Sequence, residues 1–261
     1  MTKHSLIDSH CHIVFETFNG DLEEVADRWR SAGVKGLVHA CVEPSEIPLI
    51  RDLADLFPEM KYAVGVHPLD TGKWDSETKN ILKKAALEDS RVVAIGELGL
   101  DLFRDSNLDE QLNVLRPQLE LANELDLPVI VHCRDAAKEM VEVFREFDNK
   151  NFSLKGVMHC WGGTLEEMQW FLDLGFYISF SGTVTFPKAI QIHSCAKEVP
   201  EDRFLVETDC PFLSPVPLRG KRNEPANVEI VAARIAEIRG QCFAEVAKHS
   251  TDNARKLFNL P

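Results

Sequence analysis

Apolar residues along this chain follow two rhythms that alternate from end to end. Short runs rich in Val, Ile and Leu read as strands over 5–8, 36–40, 61–66, 92–96, 128–131, 156–159, 176–179 and 204–207. Amphipathic stretches lie between and beyond them, over 22–32, 47–57, 76–88, 108–125, 136–147, 165–174, 188–198 and 226–239. In 108–125 the apolar residues at 108, 112, 115, 119 and 122 keep the three-and-four spacing of one buried helical face. The strands are short and almost wholly apolar, as expected for parallel strands covered on both faces. Eight β-then-α units in 261 residues fit a (β/α)8 TIM barrel more naturally than an open sheet. No linker, low-complexity tract or repeat divides the chain, so residues 1–261 are expected to form a single domain.

Composition changes this picture little. An apolar fraction of 44% and a charged fraction of 27% are those of a globular protein. No apolar run approaches the ~18 residues that span a bilayer, and the first residues enter a strand with no signal-peptide core. A cytoplasmic protein with no membrane or obligate protein partner is the expectation. Net charge matters more. At −13 the chain opposes long-range attraction to nucleic acid, so a polyanionic substrate must be held locally by metals and a few cations. Seven cysteines without a CxxC pair argue against a disulfide framework or a zinc ribbon. Cys11, Cys133, Cys160 and Cys210 each adjoin a suspected ligand. Strand alternation turns them away from it, as small buried apolar residues.

The chemistry lies at the strand ends. His10-x-His12 places two imidazoles on one face of an extended segment, with backbones about 6–7 Å apart. Asp8, on the same face, is expected to orient an imidazole. Glu97 closes 92–96, His132 closes 128–131, His159 closes the 156–159 run and Asp209 follows 204–207. Each is commonplace alone. Together they occupy the strand ends where catalytic groups of such barrels gather. Imidazole and carboxylate without thiolate suit Zn²⁺, Mn²⁺ or Fe, and Mg²⁺ with bound water. Six donors are too many for one tetrahedral ion but fit two divalent ions sharing a bridge. Glu97, with two oxygens, is the natural bridge. Such a pair activates one water for in-line hydrolysis, most naturally at a phosphodiester.

These residues carry a resemblance. Ile7-Asp8-Ser9-His10-Cys11-His12, Gly96-Glu97-Leu98-Gly99-Leu100-Asp101, the run from Leu127 to Ala136, and the run from Leu205 to Pro211 are similar to segments of the TatD family of metal-dependent deoxyribonucleases. Gly65-Val66-His67-Pro68 and Arg222-Asn223-Glu224-Pro225 also match, in order and over nearly the whole length. The resemblance implies that His10, His12, Glu97 and Asp209 hold one metal and that Glu97, His132 and His159 hold the second. It implies that Glu207 lies beside the metal-bound water, that Asp209 helps take its proton, and that His67 and Arg134 contact substrate phosphate. The implied activity is 3′-to-5′ exonucleolytic hydrolysis of DNA. Three positions depart from the pattern: Val14 where many members carry an acid, Leu102 where an aromatic is frequent, and Trp161 where Phe is more usual.

Arg219-Gly220-Lys221-Arg222 is the densest basic cluster and reads as a phosphate clamp, with Arg222 as a substrate contact. Trp161 and Phe186 are expected to pack in the core or rim, with base stacking as the alternative. Met140, Met158 and Met168 read as core fill. Hydrolysis of a small ester, amide or lactone by the same ligand set stays open.

Overall fold

A computed structural model describes residues 4–261. Eight strands alternate with helices, and consecutive strands are neighbours in the sheet order. The residues fall into two compact units. One comprises the described residues through His39, Cys160–Leu165 and Ile178–Pro261; the other comprises Ala40–His159 and Glu166–Tyr177.

In the first unit, β1 (Leu6–Cys11) pairs in parallel with β2 (Val34–His39), and β7 (Tyr177–Phe180) with β8 (Phe204–Val206). All six residues of β1 are buried. Helix α1 (Leu22–Ala32) spans the range its pattern predicts and stops where Gly33 takes a left-handed φ of 92°. Beyond β8 the chain runs alongside β1, meeting it in an isolated parallel bridge between Cys210 and Cys11. The Asp209 amide donates to the His10 carbonyl at 2.9 Å, and the His12 amide to the Cys210 carbonyl at 2.8 Å. Helices α7 (Ile190–Glu198) and α8 (Val228–Arg239) follow expectation to within two residues at each end, whereas α9 (Phe243–Phe258) does not figure in the pattern. The buried face of α9 is partly polar. Ser250 Oγ accepts from the Val206 amide, Thr251 Oγ1 donates to the Ser5 carbonyl, and Asn253 Nδ2 donates to the Phe204 carbonyl. Apolar Val246, Ala247, Ala254, Leu257 and Phe258 line the same face at helical spacing, and the hydrogen bonds add to that contact.

In the second unit, β3 (Met60–Val64), β4 (Val92–Asp101), β5 (Val129–Arg134) and β6 (Gly156–Met158) pair in parallel in that order. Helices α2 (Ile47–Leu56), α3 (Thr78–Glu88), α4 (Leu108–Leu125), α5 (Ala137–Asn149) and α6 (Leu165–Asp173) complete the described set. Helix α4 has the bounds expected, but its buried face is rotated: Leu108 and Leu112 are half-buried, while Gln111 and Gln118 are buried. Both glutamines serve strand ends. Gln118 accepts from the Val66 amide and donates to its carbonyl, and Gln111 does the same for Asp101. A buried backbone group without a partner costs ~1–3 kcal/mol, so an amide there outcompetes a leucine.

Strand β4 runs five residues past its expected end and β5 three, so Glu97 and His132 sit within strands rather than after them. Glycine makes this possible. Gly99 opposes His132 in the register, and a Cβ on it would stand 1.8 Å from the His132 carbonyl oxygen. Its φ of +149° is also one that residues with side chains avoid. Met140, Met158 and Met168 are core residues as expected. Of the four cysteines beside ligands, Cys11 and Cys210 are buried, while Cys133 and Cys160 are only half-buried. No described helix is long and apolar enough to cross a membrane.

Candidate metal sites

The first unit brings His10, His12 and Asp209 together. The two imidazoles approach Nε2 to Nε2 at 3.0 Å, and Asp209 Oδ1 lies 3.7 Å from His10 Nε2 and 3.5 Å from His12 Nε2. His10 of β1 and His12, just past its end, supply the rings, and the Asp209–His10 backbone bond brings the carboxylate beside them. His10 and His12 are buried, and the Asp209 side chain is 13% exposed. A tetrahedral ion with ligands at ~2.1 Å spaces its donors by about 3.4 Å. The observed separations bracket that value, so these donors fit a divalent cation.

Asp8 does not orient an imidazole, contrary to expectation. Its Oδ1 accepts from the Thr208 amide at 2.8 Å and its Oδ2 from the Thr208 hydroxyl at 2.6 Å, with a long third contact to the His10 amide. It therefore ties the segment carrying Asp209 to the strand carrying the histidines. Burial pushes its carboxyl up to about 8, against the Thr208 bonds that favour the charged form. Glu207, fully buried, accepts the Cys160 amide on Oε1 at 2.6 Å.

The second unit gathers His67, Glu97, His132 and His159 around one oxygen. Glu97 Oε1 lies 2.8 Å from His132 Nδ1, 2.9 Å from His159 Nε2 and 3.3 Å from His67 Nε2. Hydrogen-bond partners sort these rings. His132 Nε2 stands 3.0 Å from Asp101 Oδ2, an acceptor, so its proton belongs there and Nδ1 presents a lone pair to Glu97. Two acceptors 2.8 Å apart need a cation or a second proton between them. A divalent cation held there would complete a carboxylate–histidine–metal arrangement. Without one, Asp101 and Glu97 raise the His132 pKa although burial works the other way. His67 differs. Its Nδ1 accepts from the Leu69 amide at 3.1 Å, so the neutral ring carries its proton on Nε2. It is a donor aimed at the cluster, the form suited to a substrate oxygen.

The remaining expected contacts lie elsewhere. Arg134 is exposed, stacks 4.0 Å over the Phe103 ring and makes no salt bridge among the described residues. Arg222 is engaged: its guanidinium grips both Asp21 oxygens at 2.7 and 2.6 Å, donates to the Thr17 carbonyl and covers Phe18. Trp161 is buried, and Phe186 is half-buried at a cavity rim. Asp101 received no role from the sequence. Its only signal was position, four residues beyond Glu97 in the same quoted segment.

The family described as TatD related DNase matches residues 7–259. The uncharacterized metal-dependent hydrolase YabD of Bacillus subtilis (strain 168) is 39% identical over 98% of this chain and 99% of its own. The 3′-5′ ssDNA/RNA exonuclease TatD of Citrobacter koseri is 34% identical over 98% and 99%. The crystal structure of YjjV, a TatD homologue from Escherichia coli K12, superposes with a TM-score of 0.92 at 32% identity, covering 98% of each chain. That match and the strand order establish the (β/α)8 fold class expected from the pattern.

Proposed function

Because the chain belongs to the TatD family of metal-dependent hydrolases, we propose that it is a 3′-to-5′ exonuclease hydrolysing phosphodiester bonds in DNA, with residues 1–261 acting as one hydrolase domain. One divalent cation is assigned to His10, His12 and Asp209, and a second to Glu97, His132 and His159. The observation that carries this reading is the convergence of imidazoles on Glu97 Oε1 with the His132 proton already taken by Asp101. Bound divalent ions lower the pKa of water and offset charge on the phosphoryl oxygens.

The chain's own groups do the rest. Asp209 and Glu207 are the carboxylates assigned to take the proton of the attacking water. His67 offers its Nε2–H, and Arg134 its guanidinium fork, to the non-bridging oxygens. Arg134 makes no ion pair among the described residues, which supports that assignment. Arg222 is not carried forward as a substrate contact, since both of its terminal nitrogens are held by Asp21 and Thr17.

The test is end-labelled single-stranded DNA digested by purified protein in metal-free buffer and then with Mg²⁺, Mn²⁺ or Zn²⁺ added singly, alongside metal analysis. Shortening from the 3′ end only after an ion is restored supports the reading. Intact DNA under every ion, together with turnover of a small ester or lactone, overturns it.

A further inference from the structure

The first unit holds a second feature that the hydrolytic chemistry does not use. A cavity of about 240 Å³ is lined by Phe186, Pro211, Leu213, Arg219 and Lys221, among others. Drug-sized ligands occupy ~300–1,000 Å³, so this space takes a fragment such as one phosphate with its sugar. The two segments that form it, 181–192 and 211–222, contain four cationic residues and no acid, in a chain of net charge −13. Of the four, Arg222 is bound to Asp21. Arg219 and Lys221 are exposed, form no ion pair among the described residues, and are separated only by Gly220, whose φ of 82° turns the loop. The Arg219 guanidinium lies 4.3 Å over Phe186, which orders a long side chain without neutralising it.

An aromatic ladder leads from the metal-binding donors to this cavity. The His12 ring stacks on Phe15 at 5.4 Å with 13° between planes, and Phe15 meets Phe212 edge-on at 5.8 Å. Phe212 is 52% exposed and sits between Pro211 and Leu213, both in the cavity wall. A large apolar ring held from behind and open in front is the surface on which a nucleobase stacks, and any base serves because every base has a π-face.

We infer that this region is a nucleotide subsite: Arg219 and Lys221 hold a phosphate next to the scissile one, and the Phe212 ring, backed by Phe15, carries the adjoining base. The inference rests on the phosphodiesterase reading for its substrate, and its test separates the two. Binding of a short phosphorothioate single strand to the metal-loaded protein is followed by fluorescence anisotropy across a salt series. Each phosphate contact on a single strand contributes about 0.7 to the slope of log K against log salt, so R219Q/K221Q lowers the slope by about 1.4. K84Q, which removes an exposed lysine of α3, leaves it unchanged. Loss of one stacked base raises the KM of F212A for the strand by roughly 5- to 150-fold with a smaller effect on kcat, and F212Y restores it.

An unchanged slope in R219Q/K221Q overturns the phosphate assignment, and an unchanged KM in F212A overturns the stacking assignment. Wild-type protein that binds the strand with the expected slope dependence yet cleaves no phosphodiester sinks the catalytic reading and leaves the subsite standing.

Discussion

The two donor clusters are built on opposite plans. In the first unit the imidazoles come from β1 and the residue just past it, two residues apart, and the carboxylate is brought to them by a parallel neighbour. In the second, three imidazoles from separate segments converge on a single buried carboxylate oxygen. The first cluster depends on long-range ties between two segments, the Asp8 bonds to Thr208 and the Asp209–His10 backbone bond among them, and its Asp209 stays partly open to solvent. The second has a fixed centre and an outer carboxylate, Asp101, that decides which His132 nitrogen faces inward. A donor pair close in sequence needs its third member held; donors far apart in sequence need their protons placed.

The largest effect should come from removing the centre of the second cluster. Glu97→Ala is expected to lower kcat/KM on DNA by about 10³-fold or more while leaving the circular dichroism spectrum intact. Metal analysis of the same protein tells whether one ion or two depart. Full activity in it defeats the metal-hydrolase assignment of this residue. Asp101→Asn comes next, at about 10–100-fold in metal affinity or activity, the usual cost of disturbing a carboxylate behind a ligand histidine. Titration with Mn²⁺ checks it, and equal weakening by Asp8→Asn would erase the distinction drawn between the clusters.

Stability against pH sharpens the contrast, because the two units carry carboxyls shifted in opposite directions. Burial holds the Asp8 carboxyl up at about 8, so the unfolded chain gives up this proton from about pH 4 while the folded one keeps it. Metal-free protein therefore loses stability as pH rises from about 4 to about 8, and Asp8→Asn flattens that decline. Urea unfolding across this window measures it. In the second unit, hydrogen bonds from the Arg91 side chain hold Asp89 well below the ordinary carboxylate range, despite burial. That stabilisation is present above the unfolded-state pKa and is lost as pH falls beneath it. The smallest effect follows: Asp89→Asn costs about 1.5–3 kcal/mol near neutrality and shows a shallower loss of stability below about pH 4. A variant that declines as steeply as the wild type sets the Arg91 pairing aside.

How legible all this was depends on the range of the interaction. Helices α1 and α4 could be bounded to the residue, because hydrophobic periodicity is local. The burial of Gln111 and Gln118 was not readable, since nothing in a helix pattern says that a strand end opposite it needs a donor and an acceptor. Helix α9, by contrast, carries an apolar stripe as regular as that of α1 and was open to reading. Among site residues, the chemical type of His10, His12, Glu97, His132, His159 and Asp209 and their association with strands stood out, although β4 and β5 run on past Glu97 and His132. The partner of Asp8, two hundred positions away, did not, and neither did the commitment of Arg222 to Asp21.

The sequence by itself determined the alternation of strands and helices, the fold class, the family and the supply of nitrogen and oxygen donors without thiolate. Each is written in residue type and short-range spacing, which side-chain periodicity turns directly into geometry. The tertiary structure alone decided which proton each histidine keeps, which carboxylates serve as ties, and which arginines remain open. Those properties are set by the atoms a side chain meets, and here the meetings span from 2 residues to 205.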